Sequence, residues 1–223
     1  MTTLGPIKIL RCPNCSGLFK DQEFASWNTF NAVFYTDGYC DGPFTARNEL
    51  FVKCPECSNM ICKDKAELVR VVSSTFDDFF DYDRDKENEL NETLRQIKGC
   101  HGPTLQDYYS HVKDYELPPD HEKYIRTIIW WLENDKRRNV AIDDIEILSE
   151  SERINLEKLL QLFDENNEND LLSRVEIFRE LGNFEEAKKL LKRSFDEKYS
   201  KTVEKFQELI EEKNAFVSIL LEE

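Results

Sequence analysis

The residues best equipped for chemistry are two short cysteine turns, Cys12-Pro13-Asn14-Cys15 and Cys54-Pro55-Glu56-Cys57. A Cys-x2-Cys turn brings two sulfurs to one cation without strain, and two such turns supply the four soft thiolates of a tetrahedral, closed zinc site. The spacing predicts that Cys12, Cys15, Cys54 and Cys57 hold one structural Zn2+ per chain. A closed site leaves no position for a substrate water, so this chemistry is scaffolding. Cys62, five residues beyond Cys57, is the alternative ligand. Cys40 and Cys100 read as free thiols or core fillers, and unpaired thiols beside a thiolate site suit a reducing cytoplasm.

Other reactive side chains form weaker patterns. Cys100-His101, with His111 and His121, lacks a recognisable base-orienting partner or oxyanion turn, so no catalytic residue is assigned. Asp81, Asp83, Asp85 and Glu92 have the spacing of a calcium loop, but Lys86 stands where the bend needs glycine, leaving an acidic linker as the reading. Arg126, Trp130, Trp131, Asn134, Asp135, Arg137 and Arg138 form an unusual helical cluster. Adjacent helical residues point about 100° apart, so Trp130 and Trp131 face different surroundings. Core or interdomain packing is the expectation, with an Arg126 to Trp130 stack on one face.

The elements that must position the cysteines are strands. Ile7–Leu10 leads into the first turn and Glu49–Lys53 into the second, while Trp27 to Thr36 is rich in strand formers and Asp37-Gly38 makes a turn. Met60–Cys62 extends the sheet, and Lys65 to Val72 is assigned a short helix. Residues 1–72 are therefore expected to be a zinc ribbon, 73–103 an acidic linker, and 104–223 an all-α domain; the fold class is α+β. Predicted helices cover Thr104–Tyr115, Pro119–Asn134, Ser151–Asn166, Leu171–Leu181, Phe184–Phe195 and Tyr199–Leu220. Short connections between them imply antiparallel helical hairpins.

Composition narrows the functions open to the chain. It has 223 residues, 40% hydrophobic, and a formal charge of -15. Residues 1–72 carry eight Lys/Arg and eight Asp/Glu, so the whole deficit lies in residues 73–223. An acidic domain repels phosphate backbones, which makes nucleic acid an unlikely partner. No apolar run approaches the ~18 residues of a membrane span, and residues 1–10 lack an export signal. A cytoplasmic protein without membrane attachment is expected; its oligomeric state is left open.

Leu181-Gly182-Asn183-Phe184-Glu185-Glu186-Ala187 with Leu190-Leu191 resembles the turn and second helix of a tetratricopeptide repeat. Val175 departs from that pattern, which places a small residue there. Over most of its length the chain resembles a group of uncharacterised bacterial proteins with an N-terminal zinc ribbon and a C-terminal tetratricopeptide-like region. The residues carrying this likeness are the two cysteine turns, Thr36-Asp37-Gly38, Arg126, Trp130-Trp131, Asn134-Asp135-Lys136-Arg137 and Arg179-Glu180-Leu181-Gly182. The resemblance implies a fold and a bacterial, cytoplasmic setting, and no activity.

The expected function is accordingly non-catalytic: a structural-zinc protein whose helical hairpins bind a protein or peptide partner, basic by preference. The alternative is a nucleic-acid-associated ribbon with Trp27, Phe34 and Tyr35 stacking on bases and an acidic regulatory domain.

Overall fold

The computed structural model describes residues 2–43, 45, 49–72, 96–138 and 148–222. The acidic stretch 73–92, including the calcium-like spacing, lies outside them. The chain divides into two compact units, Met1–Thr29 with Phe44–Asp107, and Phe30–Pro43 with Tyr108–Glu223.

The first unit is built on strands. β1 (Thr3–Arg11) is flanked by β2 (Leu18–Ser26) and β7 (Glu67–Val72) in an antiparallel sheet of order β2-β1-β7. β5 (Phe51–Lys53) and β6 (Met60–Cys62) form a separate hairpin. Phe19, Leu10, Val52 and Ile61 pack with Cys12 and Cys54 in one small core, so the sulfur-bearing turns share the apolar interior. Residues 98–101 stitch the two strand systems together. The Lys20 N–H donates to the Lys98 carbonyl at 2.8 Å and the Lys53 N–H to the His101 carbonyl at 2.8 Å, satisfying backbone groups that strand edges would otherwise leave unpaired.

Two local expectations are corrected in this unit. Lys65 to Val72 is not a helix: a single 3-10 turn at Lys63–Lys65 gives way to β7, which pairs with β1 from Ile7↔Val72 to Arg11↔Glu67. The β-branched Val69, Val71 and Val72 favour the pleated surface. Residues 96–103 also belong to this unit rather than to a linker, for the hydrogen-bonding reason just given.

The second unit contains six α-helices among the described residues: α1 (Leu105–Asp114, beginning in the first unit), α2 (Pro119–Asn134), α3 (Glu150–Leu160), α4 (Glu168–Glu180), α5 (Phe184–Leu191) and α6 (Ser200–Glu211). Thr104 and Asp107 cap α1 reciprocally, Pro119 opens α2, and Ser149 forms a capping box with Glu152 at the start of α3. Gly182, at φ +75, takes the left-handed position that ends α4; the Asn183 N–H then returns to the Phe178 carbonyl at 2.7 Å. That turn lets α5 pack back on α4. Leu171, Leu172, Val175, Ala187, Leu190 and Leu191 form a core with Phe206 and Ile210 of α6. A second cluster joins Trp130 to Leu156, Leu159, Phe163 and Ile177.

This unit is not all-α. α6 stops at Glu211, where Lys213 adopts φ 52 and the Asn214 N–H closes on the Leu209 carbonyl at 2.9 Å. The chain then runs extended into β8 (Ile219–Glu222), which pairs antiparallel with β3 (Val33–Tyr35), itself paired with β4 (Cys40–Asp41). The segment Phe30–Pro43, expected within the ribbon, thus groups with the helices.

A buried polar cluster fixes that segment. Asp37, with a side chain at 0% exposure, accepts from Arg138 Nη2 and from Asn134 Nδ2 at 3.0 Å, and its carbonyl accepts from Trp131 Nε1 at 2.9 Å. Arg138 also lies 4.0 Å from the Tyr39 ring centroid. Thr36 donates to Glu176 at 2.5 Å and accepts from the Ser218 N–H at 3.0 Å. Glu176 pairs with Arg179, and Arg179 donates to the Asn214 carbonyl. Glu180 accepts from Trp130 Nε1 and from Asn134 Nδ2.

Three carboxyls, Asp37, Glu176 and Glu180, are thus set against two guanidiniums, Arg138 and Arg179. Burial, reinforced by Glu176 and Asp37, raises Glu180 well above its ordinary value of 4.5. Burial also raises Asp37, against the opposing effect of Arg138 and Asn134. The folded state therefore holds more protons than the unfolded one, and stability falls as pH rises from the ordinary carboxyl range toward the folded pKa.

Two outcomes are expected. Urea unfolding of the full chain, followed by tryptophan fluorescence, loses stability with rising pH across this window, and Glu180→Gln flattens the slope. Arg179→Ala strands the buried Glu176 carboxylate and costs about 3–5 kcal/mol, whereas Arg174→Ala, which removes a pair to the half-exposed Glu165, costs about 0–1 kcal/mol.

Candidate metal centre

Each cysteine pair lies on a turn leaving a strand: Cys12 and Cys15 follow β1, and Cys54 and Cys57 follow β5. The two turns share one geometry. In the first, the Ser16 N–H donates to the Cys12 carbonyl at 2.9 Å and the Cys12 N–H to the Gly17 carbonyl at 2.9 Å. In the second, the Ser58 N–H donates to Cys54 at 2.9 Å and the Cys54 N–H to Asn59 at 3.0 Å. Ser16 and Ser58 occupy matching left-handed positions, φ 61 and φ 60. Such conformations are uncommon for residues with a Cβ, and here each reverses the chain so that two sulfurs face inward. Gly17 is needed for space: a Cβ there would lie 3.1 Å from Cγ of Glu56 and 3.2 Å from the Cys15 sulfur.

The four sulfurs converge. Cys12 and Cys57 are 3.9 Å apart and Cys15 and Cys54 3.7 Å apart, and all four lie within 4.8 Å of one another. Cys12 and Cys54 are buried in the small core, Cys57 is half-buried, and Cys15 faces solvent. Backbone N–H groups point at the sulfurs. Burial raises the Cys12 thiol, while the N–H groups of Cys15 and Asn14 work in the opposite direction. At Cys54 burial is outweighed by the N–H groups of Cys57 and Glu56, and the thiol falls below its ordinary range. N–H donors stabilise thiolates, and among the four Cys54 alone falls below its ordinary value, while Cys12, Cys15 and Cys57 are raised. The donor set fits a metal ion: four sulfurs on two preformed turns, all within 4.8 Å of one another.

The remaining cysteines are separate from this cluster. Cys62 is buried in β6, and burial raises its thiol. Cys100 lies 3.6 Å from the Asp21 carboxylate; burial first, then the Asp21 charge, push it up to about 12. A protonated thiol of that kind is a poor nucleophile. Cys40 is half-buried in β4.

The helical cluster is structural. Trp130 is buried in the α2–α3–α4 core, and Trp131 packs edge-on to Tyr39 at 6.0 Å. Arg126 does not stack on Trp130; it donates to Glu122 at 2.7 Å and to Asn155 at 3.3 Å. Arg138 supplies the cation–π contact instead, over Tyr39. Of the three aromatics considered for base stacking, Trp27 is half-exposed in the first unit, whereas Phe34 and the buried Tyr35 lie on β3 of the second.

Sequence reasoning singled out Thr36-Asp37, Asn134 and Arg179-Glu180 without seeing that they meet. The available signal was charged residues on apolar faces of α4, where Glu176, Arg179 and Glu180 interrupt Val175, Ile177 and Leu181. No helix among the described residues is long and apolar enough to cross a membrane.

Comparison with protein-family models, curated proteins and solved structures finds no match to this chain.

Proposed function

We propose that this is a non-catalytic structural-zinc protein in which Cys12, Cys15, Cys54 and Cys57 hold one Zn2+ and the helical unit serves as an interaction module. The observation that carries the reading is the sulfur geometry. Zn–S bonds of about 2.3 Å place tetrahedral ligand atoms about 3.8 Å apart, and the two measured pairs, 3.7 Å and 3.9 Å, bracket that edge. Four protein sulfurs fill the coordination sphere, so the ion acts as a crosslink between two turns rather than as a Lewis acid toward substrate. A small β unit with a short list of core residues gains much of its stability from such a crosslink.

For the helical unit, the α4–α5 hairpin supports a tetratricopeptide-like reading: Gly182 makes the turn, Ala187 is fully buried, and Phe184 packs against the core. The charge deficit of the chain, concentrated outside residues 1–72, favours a basic protein or peptide partner.

Two measurements test these parts separately. Elemental analysis of the purified full chain is expected to give one zinc per chain; Cys54→Ser and chelation should both remove it and lower the melting temperature of the first unit. Absence of zinc, or a Cys54→Ser variant with full metal content and unchanged melting, overturns the metal assignment. The full chain is also expected to bind lysine- and arginine-rich peptides on an array, with binding that weakens as salt rises. Equal retention of acidic and basic peptides overturns the partner assignment.

A further inference from the structure

The second unit contains a cavity of about 200 Å³ that the structural-zinc reading does not use. It lies between the ends of α2 and α4, the start of α3 and the extended chain before β8. Its apolar wall is Leu148, Phe216 and Val217; its polar groups include Asn134, Arg153 and Glu180. At this volume it falls below the ~300–1,000 Å³ of clefts that enclose drug-sized molecules, so its occupant is small.

The polar lining is selectively unfinished. Asn134 is 1% exposed, and both amide hydrogens are committed, to Asp37 Oδ2 at 3.0 Å and Glu180 Oε1 at 3.0 Å. An amide has two donors and a separate acceptor oxygen, and Oδ1 of Asn134 accepts nothing among the described residues. The acids on this side are compensated. Glu152 pairs with Arg137 at 2.7 Å, Glu133 pairs with Lys136, and Glu180 is held by Trp130 and Asn134. Burial raises Glu180 above its ordinary value. The guanidinium of Arg153, by contrast, makes no hydrogen bond or ion pair with a described residue.

We propose that this cavity binds a small organic carboxylate: its carboxylate on the Arg153 guanidinium, a hydroxyl or N–H donor on Asn134 Oδ1, and an apolar body against Leu148, Phe216 and Val217. A planar guanidinium matches a carboxylate through two parallel hydrogen bonds, which gives orientation as well as charge. The Asn134 side chain lines the cavity, and its carbonyl adds selectivity by accepting one hydrogen bond from the ligand. The apolar wall disfavours inorganic anions.

Phenyllactate carries all three features and is the probe. Isothermal titration into the full chain is run alongside nitrogen-15 NMR of the Trp130 indole N–H, which donates to Glu180 on the cavity wall. Saturable binding is expected, with a shift of the Trp130 resonance. Phenyllactamide, which lacks the charge, and Arg153→Gln should each weaken binding about tenfold or more, while Arg153→Lys should fall between Arg153→Gln and the unaltered chain. Because the Arg153 guanidinium makes no hydrogen bond or ion pair with a described residue, the variants are expected to retain the far-ultraviolet dichroism of the parent. The proposal is overturned if phenyllactate gives neither heat nor a Trp130 shift, if the amide binds as well as the acid, or if Arg153→Gln binds as the parent does.

Discussion

Burying Asp37 constrains the second unit more than any other single feature. A carboxylate removed from water is tolerated only with partners supplied by the fold, and here they come from the end of α2: Arg138, Asn134 and, through the Asp37 carbonyl, Trp131. That requirement draws the turn between β3 and β4 onto the helices. Once Thr36 is placed, its hydroxyl links Glu176 of α4 to the Ser218 backbone, and the chain leaving α6 is carried past Arg179 into β8. The polar cluster is therefore a fastening for segments far apart in sequence. Its charges are uneven, three buried acids to two arginines, and burial raises Glu180 above its ordinary value.

The first unit meets a different constraint with different means. Its described core includes Leu10, Phe19, Val52 and Ile61 packed with Cys12 and Cys54. The matched cysteine turns place Cys12 and Cys54 inside that core, so these two residues contribute to packing and also belong to the four-sulfur cluster. Ser16 and Ser58 accept unfavourable backbone angles to complete the turns, and Gly17 leaves room for Glu56 and the Cys15 sulfur. Local strain of this kind persists when surrounding bonds over-determine it.

The distribution of unpaired groups separates structure from function. Although Arg138 Nε has no hydrogen-bond partner, the guanidiniums of the Asp37 cluster pair with acids, Arg138 with Asp37 and Arg179 with Glu176. In the adjoining cavity, the Arg153 guanidinium and the Asn134 side-chain carbonyl have no partner among the described residues.

Features that depend on neighbouring residues are legible in the amino-acid order alone. Cysteine spacing identified Cys12, Cys15, Cys54 and Cys57, because a Cys-x2-Cys turn is complete within a few residues. Helix positions were legible from Pro119, the Gly182 turn and the apolar period of α4 and α5, since capping and helical spacing are also local. The rest depends on distant partners. The pattern of residues 65–72 predicts a helix because the strand partner of β7 is β1, some sixty positions away, and residues 219–220 continue a helical period because the partner of β8 is β3, near the other end of the chain. The same holds for Asp37 and Arg138, 101 residues apart. A residue pattern records which face is apolar, but it does not record which distant backbone or charge will complete it.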